Sequence, residues 1–179
     1  VIDERVSGIS ENEKPRVMLV SRITTTTCNL YSTTHRFNEL CERAGGKNIA
    51  ADLEGTNPIV ETGWVVEQNP EVIVRQSYGS GYETDDESKM KAQYDEITEF
   101  IGFRNLAAVK NNRVHVIQFD TASGPGYLVG FLYMAKWFHP ELFEDLNPQA
   151  IHQEYIDKFC GIDYDVTEHG VFAYPPPES

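Results

Sequence analysis

The sequence predicts an α/β fold, a three-layer αβα sandwich around a mostly parallel central sheet, as in a Rossmann-like lobe. Short apolar runs at 16–20, 72–74 and 113–117 predict buried strands, since β-branched runs of this length are typical of sheets covered on both faces. A helical pattern follows each run. This alternation of strand and helix predicts right-handed crossovers and helices on both faces of the sheet.

The first half of the chain supplies two of these strands. The helix expected at 1–13 ends before Pro15, because proline cannot continue a helix. The pattern then predicts a helix over 33–44, which two glycines end, and another helix over 60–68. An Asn-Pro break separates that helix from the strand at 72–74.

The second half of the chain continues the alternation. Acidic residues in a first turn favour a helix over 85–101. The third strand leads into a loop of small residues at 118–126, and an apolar helix is predicted over 127–138. A last helix is predicted over 148–159, and the tail at 161–179 is expected to be only partly ordered.

Composition excludes several classes of protein. The 179 residues carry a net charge of −13, which argues against binding to nucleic acid, because a phosphate-binding surface needs an excess of lysine and arginine. No apolar run reaches the length of a membrane span. The three cysteines are odd in number and form no CxxC, so they do not settle the redox compartment. The chain begins at Val1 and not at a methionine, so we expect a processed product or an excised fragment of a longer protein, and we favour the fragment. We also expect a monomer.

Three polar stretches follow the predicted strands, at 21–29, 75–82 and 118–126. They are expected to meet at one edge of the sheet, where open α/β sheets bind ligands. Arg22 and Arg75 follow strands, and a guanidinium there would pair with a carboxylate, a phosphate or a chelate oxygen. A solvated arginine or a local salt bridge is the alternative for both.

Five more residues of these stretches are candidate ligand contacts. Tyr78 and Tyr82 offer a flat apolar face with a hydroxyl, although they could equally anchor their loop. Thr24 and Thr25 could present hydroxyls to an anion, or simply extend a strand. Asp120 follows the third strand and could contact a ligand or form a turn.

Motifs for catalysis or metal binding are absent from the sequence. There is no GxGxxG, GxxxxGK[ST], GxSxG or CxxC, and the five histidines show no HxH, HExxH or HxxxH spacing. We therefore predict no catalytic residue, no resident cofactor and no metal site. An α/β enzyme of similar layout remains an alternative.

Six segments carry a resemblance to a known family. In order along the chain they are 14–17, 44–50, 64–74, 106–117, 124–125 and 133–143. Together they resemble the metal-chelate class, or class III, of periplasmic solute-binding proteins of ABC importers, and specifically the carboxyl-terminal lobe. The resemblance covers about residues 10–160.

The resemblance implies a division of the chain and a function. Residues 1–13 would end an interlobe helix, residues 14–160 would form the lobe, and residues 161–179 would be a tail. The ligand would be a ferric siderophore, haem or cobalamin, with an oxyanion also left open. It would bind between two lobes and pass to an ABC permease and its ATPase. The protein would be extracytoplasmic, in the periplasm or at the cell surface, and membrane-anchored at full length.

Two positions depart from the family pattern. Gly63 stands where members carry a glutamate that docks onto the permease, and Glu61 is the nearest acid to take over that role. Alternatively, Glu61 only stabilises the start of a helix, because a negative charge is favourable near the positive end of the helix dipole. Gly126 stands where many members carry an arginine. A sensor lobe that has lost transport therefore remains a third hypothesis.

Overall fold

The computed structural model describes residues 2–124 and 126–176 and confirms an α/β fold with helices on both faces of one sheet. The strands are β1 (Arg16–Ile23), β2 (Thr27–Leu30), β3 (Lys47–Asn48), β4 (Ile59–Glu61), β5 (Val72–Ser77), β6 (Val114–Gln118) and β7 (Ala173–Tyr174). The helices are α1 (Ile2–Val6), α2 (Arg36–Arg43), α3 (Thr62–Gln68), α4 (Ser88–Thr98), α5 (Ala107–Lys110), α6 (Phe119–Ser123), α7 (Tyr127–Phe138) and α8 (Pro148–Tyr155). Single 3₁₀ turns lie at Ile101–Phe103 and Pro140–Phe143, and a π turn at Ile156–Cys160.

The centre of the sheet is parallel, as predicted, and its edges are antiparallel. The strand order is β4-β2-β1-β5-β6-β7, with β3 paired to the start of β1. β5 runs parallel to both β1 and β6, so that Val20, Arg75 and Val116 lie side by side across three strands. β2, β4 and β7 add antiparallel pairs. The carboxyl ends of β1, β5 and β6 therefore point to the same edge.

The two faces of β5 separate two hydrophobic cores. Val72 and Val74 pack in a core with side chains of α2 and α7, whereas Ile73 packs in a second core with α3, α4 and α5. All three side chains are fully buried, which explains the continuous apolar run in the sequence. This burial on both faces holds the central strand in one register.

The first helix and the hairpin differ from the prediction. α1 ends at Val6, well before Pro15, because Ser7 and Gly8 turn the chain and the Ser7 hydroxyl donates to the Glu4 carbonyl oxygen. The polar stretch after β1 was expected to be a loop, but β2 pairs back on β1 there and β4 pairs on β2. The predicted helix over 60–68 is therefore split into a strand and a shorter helix.

The loop predicted at 118–126 contains a helix. Gln118 caps α6, since its side-chain oxygen accepts a hydrogen bond from the Thr121 backbone N–H at 2.8 Å. Glutamine is not a preferred cap residue, so the sequence alone gave no signal for this helix. α4 is also shorter than predicted, whereas α7 has the predicted bounds.

The carboxyl-terminal segment packs on the sheet, in contrast to the partly ordered tail that was expected. β7 pairs with β6, and Val171 forms a two-way backbone bridge with Gly81. Val166, Val171 and Phe172 are buried. Val171 packs with Val116 of β6, whereas Val166 and Phe172 pack with Ile156. β7 thereby covers an otherwise open strand edge. The division into an interlobe helix, a lobe and a tail stays a prediction, and residues 177–179 of that tail lie outside the described residues.

No helix in the described ranges is both long enough and apolar enough to span a membrane.

Gly46 follows α2 at a point with no room for a side chain. A Cβ there would lie 2.7 Å from Phe138 Cε2, 2.8 Å from Cys41 Sγ and 2.9 Å from Val17 Cγ2. Since these are buried core atoms, we expect Gly46→Ala to lower the free energy of unfolding by about 1–3 kcal/mol, measured by urea denaturation. The matched control is Gly63→Ala, where a Cβ meets nothing within 4 Å among the described residues and alanine favours the helix. Equal losses in the two variants would contradict this packing.

Candidate functional site

A cavity of about 330 Å³ opens at the carboxyl ends of β5 and β6, and we call it the edge cavity. Its walls come from the segment after β5 and from the first turn of α6. The lining residues are Tyr78, Gly79, Ser80, Tyr82, Glu83, Gln118, Phe119 and Asp120. Two of the three polar stretches predicted to meet at this edge therefore do so, and Tyr78, Tyr82 and Asp120 are among the residues predicted from the sequence.

Two glycines shape the segment after β5. Gly79 and Gly81 have φ angles of +69° and +94°, a region that side chains other than glycine rarely adopt. A Cβ on Gly81 would also lie 3.0 Å from the Gln118 side chain. Backbone hydrogen bonds in both directions join Gly81 to Val171, so the carboxyl-terminal segment holds this turn in place.

Gln118 orients the carboxylate at the mouth of the cavity. Its side-chain oxygen caps α6, which leaves its Nε2 to donate to Asp120 Oδ2 at 2.8 Å. Asp120 lies in the first turn of α6 and is exposed. Gln118 is buried, so it acts as a fixed support for an exposed charge.

Aromatic side chains form two walls of the edge cavity. The Tyr78 ring stacks on Phe119, with ring centroids 4.7 Å apart, and Tyr78 is 53% exposed. The Tyr82 ring contacts His152, Tyr164 and Phe172 edge-on.

A short hydrogen bond of 2.6 Å joins the Tyr82 hydroxyl to His152 Nε2. Burial lowers the pKa of His152 to about 4, and burial raises the pKa of Tyr82 to about 12. Both groups are therefore neutral near pH 7, and the tyrosine donates to the imidazole. The hydrogen bond fixes the direction of the Tyr82 side chain. His152 lies on α8, and its sequence position gave no signal for this contact.

Several buried polar atoms beside the cavity have no hydrogen-bond partner among the described residues. They are Gln76 Oε1, Ser77 Oγ and Ser80 Oγ, all at or just after the end of β5. Gln76 uses its Nε2 to donate to Ser123 Oγ at 2.7 Å. Because a buried polar atom without a partner is costly, such a group marks a place where water or a ligand is expected. Ser80 lines the edge cavity directly.

Arg75 lies outside the lining of the edge cavity. The residue is 6% exposed, and its side chain points to α4, where Nη1 donates to Glu96 Oε2 at 2.6 Å and to the Gln93 carbonyl oxygen at 3.2 Å. This ion pair is the local salt bridge that the sequence analysis gives as the alternative to ligand contact. Ligand contact by Arg75 stays a prediction, and the geometry favours the ion pair.

Arg22, Thr24 and Thr25 lie on the β1–β2 hairpin and not in the lining of the edge cavity. Thr24 Oγ1 accepts hydrogen bonds from the backbone N–H groups of Thr26 and Thr27, so it stabilises the turn. The other two residues are exposed at this edge of the sheet. Their contact with a ligand stays a prediction.

Glu61 is exposed at the start of α3 and pairs across the sheet with Thr27 of the hairpin. It makes no side-chain cap hydrogen bond to α3. Its carboxylate therefore stands at the surface near the hairpin, and a role in docking stays a prediction.

A second cavity of about 330 Å³ adjoins the edge cavity and shares Tyr82 and Asp120 with it. Its other walls are mainly apolar and come from α6, the residue before α7, the end of α8, and the π turn with the segment after it. They are Thr121, Gly126, Tyr155, Ile156, Cys160 and Ile162. Across residues 2–124 and 126–176, no group of three histidine, cysteine, aspartate or glutamate side chains is placed to hold a metal ion.

Comparison with solved structures finds this fold in periplasmic binding proteins. The chain is 27% identical to the TroA-like periplasmic binding protein FepB from Veillonella parvula, with a TM-score of 0.79 over 96% of this chain and 51% of that protein. For the molybdate-bound periplasmic binding protein MolA of a Haemophilus influenzae ABC transporter, the identity is 22% and the TM-score is 0.70. The match covers 91% of this chain and 47% of that protein. For Helicobacter pylori CeuE with Ni(II) bound, the identity is 18% and the TM-score is 0.69, over 93% of this chain and 50% of that protein.

The chain spans about half the length of these proteins, and it has the fold of one lobe of a TroA-like binding protein. No protein-family model matches the sequence. No curated protein matches it either.

The Tyr82–His152 contact predicts a specific dependence of stability on pH. The unfolded chain binds a proton at His152 below about pH 6.5, whereas the folded chain does so only near pH 4. Stability is therefore lost as the pH falls through this window, and His152 alone accounts for about 2 kcal/mol between pH 6.5 and 4.5. Over this pH range we expect the free energy of unfolding of His152→Gln, measured by urea denaturation, to fall by about 2 kcal/mol less than that of the original chain. Equal losses in the variant and the original chain would contradict this account.

Proposed function

We propose that this chain is the carboxyl-terminal lobe of the substrate-binding component of an ABC transporter. One observation carries the proposal: the chain has the fold of a single lobe of TroA-like binding proteins, and the edge cavity lies open at the carboxyl ends of its central strands. A second lobe would cover this edge and complete the site. Binding at the edge of an open α/β sheet is the general expectation for this architecture.

The ligand would be a metal chelate such as a ferric siderophore, haem or cobalamin. The aromatic walls of the edge cavity, with the Asp120 carboxylate at its mouth, suit a flat ligand with polar edges. Tyr78, Tyr82 and Asp120 would contact it, together with Ser80 and Phe119.

The protein would work outside the cytoplasm, in the periplasm or at the cell surface, and deliver its ligand to a permease and its ATPase. The compared proteins are periplasmic binding proteins, which supports this location. Glu61 would dock onto the permease in place of the glutamate that Gly63 replaces. The protein would have no catalytic role and would act as a monomer.

Binding of a panel of solutes tests this proposal. We expect isothermal titration calorimetry with the natural gene product that carries this chain to show saturable one-to-one binding of one chelate, with a Kd of about 1 µM or lower. The panel comprises a ferric hydroxamate, a ferric catecholate, haem, cyanocobalamin and molybdate. Tyr78→Ala should weaken binding at least tenfold, because it removes a wall of the edge cavity.

The control for this panel is Phe159→Ala, which removes an exposed aromatic side chain from outside the edge cavity and should change the Kd less than twofold. A folded protein that binds no panel member would contradict the importer proposal and favour a sensor lobe. Chemical turnover of a bound solute would favour the enzyme alternative.

Charge reversal at Glu61 tests the docking role separately from ligand binding. We expect Glu61→Lys to reduce at least fivefold the ATPase stimulation of the cognate permease complex in liposomes, since it removes a salt bridge and adds repulsion. The Kd for the ligand should not change. Glu67→Lys makes the same charge change at the other end of α3 and should leave stimulation intact. Equal effects of the two variants would exclude a specific role for Glu61.

A further inference from the structure

We propose that this lobe takes an amphiphilic solute, with a polar head in the edge cavity and a linear alkyl chain in an apolar groove between α7 and α8. This inference rests on the proposed binding function and names the ligand class for the same site. The groove has a volume of about 290 Å³, and we call it the tail groove. Its apolar lining comes from α7, α8 and the π turn and comprises Leu128, Val129, Leu132, Ile151, Tyr155 and Phe159.

Three cavities form one continuous trough on this lobe. The second cavity shares Tyr82 and Asp120 with the edge cavity, and it shares Gly126 and Tyr155 with the tail groove. The trough starts among the polar residues of the edge cavity and becomes apolar toward the tail groove. A single solute that fills it therefore has to change from polar to apolar along the same direction.

The trough collects most of the exposed apolar side chains. Ten large hydrophobic side chains are exposed among the described residues, and six of them line the three cavities. These six are Tyr78, Tyr82, Leu128, Ile151, Phe159 and Ile162. Single exposed hydrophobic residues are normal on a protein surface, whereas a contiguous set marks a binding surface.

The charged side chains at the tail groove are already paired. Glu154 and Lys158 line it, and the Lys158 ammonium forms an ion pair with the Glu154 carboxylate one helical turn away. The groove therefore offers an incoming group apolar surface and no unpaired charge of its own. An alkyl chain is the kind of group that gains from such a surface, since it leaves water without losing a hydrogen bond.

The direction of α7 favours a flexible chain over a second lobe as the occupant. Gly126 lies at the carboxyl edge of the sheet, and the far end of α7 reaches the opposite edge, where Arg113 Nη2 donates to the Trp137 and Phe138 carbonyl oxygens. Leu132 lies about 9 Å along the helix from Gly126. A lobe resting on the carboxyl edge would cover the mouth of the groove, whereas a flexible chain can continue along α7.

A series of linear alcohols that differ only in chain length tests the proposal. We titrate 1-hexanol, 1-octanol and 1-decanol into the natural gene product that carries this chain, and follow ¹³C-labelled leucine and isoleucine methyl groups by NMR. We expect saturable shifts at Leu128, Leu132 and Ile151. The Kd should fall about twofold to fourfold for each methylene group that the groove removes from water. Shifts by 1-decanol should extend to Ile162 in the second cavity, and those by 1-hexanol should not.

A matched pair of variants separates the groove from general hydrophobic binding. Leu128→Glu puts a charge into the tail groove and should raise the Kd for 1-decanol at least tenfold. It lies in the first turn of α7, where an acidic residue suits the helix dipole, so we expect the fold to be kept. Leu142→Glu makes the same substitution at an exposed leucine outside the three cavities and should change the Kd less than twofold.

Phe159→Ala separates the tail from the head of the solute. It should raise the Kd for 1-decanol at least threefold, because Phe159 lines the tail groove. The solutes of the panel above carry no long alkyl chain, so the same variant should leave their affinity unchanged. A loss of affinity for both kinds of solute would contradict a separate tail site.

Three further results would overturn the proposal: no saturable shift at the tail groove, a Kd that does not fall with chain length, and equal effects of Leu128→Glu and Leu142→Glu. A dimer in sedimentation that Leu128→Glu dissociates would also overturn it, because the groove would then be a contact between copies. Failure of this inference differs from failure of the proposed function. A panel solute that depends on Tyr78, with no response of the groove to any alcohol, would leave the binding function standing and remove only the tail.

Discussion

The pairing of β5 between β1 and β6 is the constraint on which the rest of the structure depends. Its apolar residues 72–74 are buried on both faces, so a shift of register by one residue would carry them into the wrong core. The same register determines that β5 ends at Ser77, and Tyr78 and Ser80 follow at that point. The position of the edge cavity is therefore a consequence of the hydrophobic pattern in the middle of the chain.

The carboxyl-terminal segment makes this edge rigid. Val171 holds Gly81, the backbone oxygen of Phe172 accepts from the N–H of Gln118, and the Phe172 ring packs against Tyr82. His152 then fixes the Tyr82 hydroxyl from α8. Residues far apart in sequence thus support one wall of the cavity, as pre-organisation of a binding site requires. A loosely attached tail could not do this.

The sequence predicted what local patterns determine and missed what long-range contacts determine. The bounds of α7 followed from helical spacing, and the parallel core followed from the apolar runs. α6 depends on an unusual glutamine cap, and β7 docks only because the edge of β6 is open. The direction of Arg75 could have been found, because alternation along β5 places it on the same face as Ile73, toward α4.

The most direct measurement is a crystal structure of the natural gene product with its bound solute. The account predicts that the solute lies at the carboxyl ends of β5 and β6, with atoms in contact with Ser80, Tyr82 and Asp120, and that a second lobe covers its other side. A solute bound away from these residues, with the edge cavity filled by protein side chains, would contradict the account.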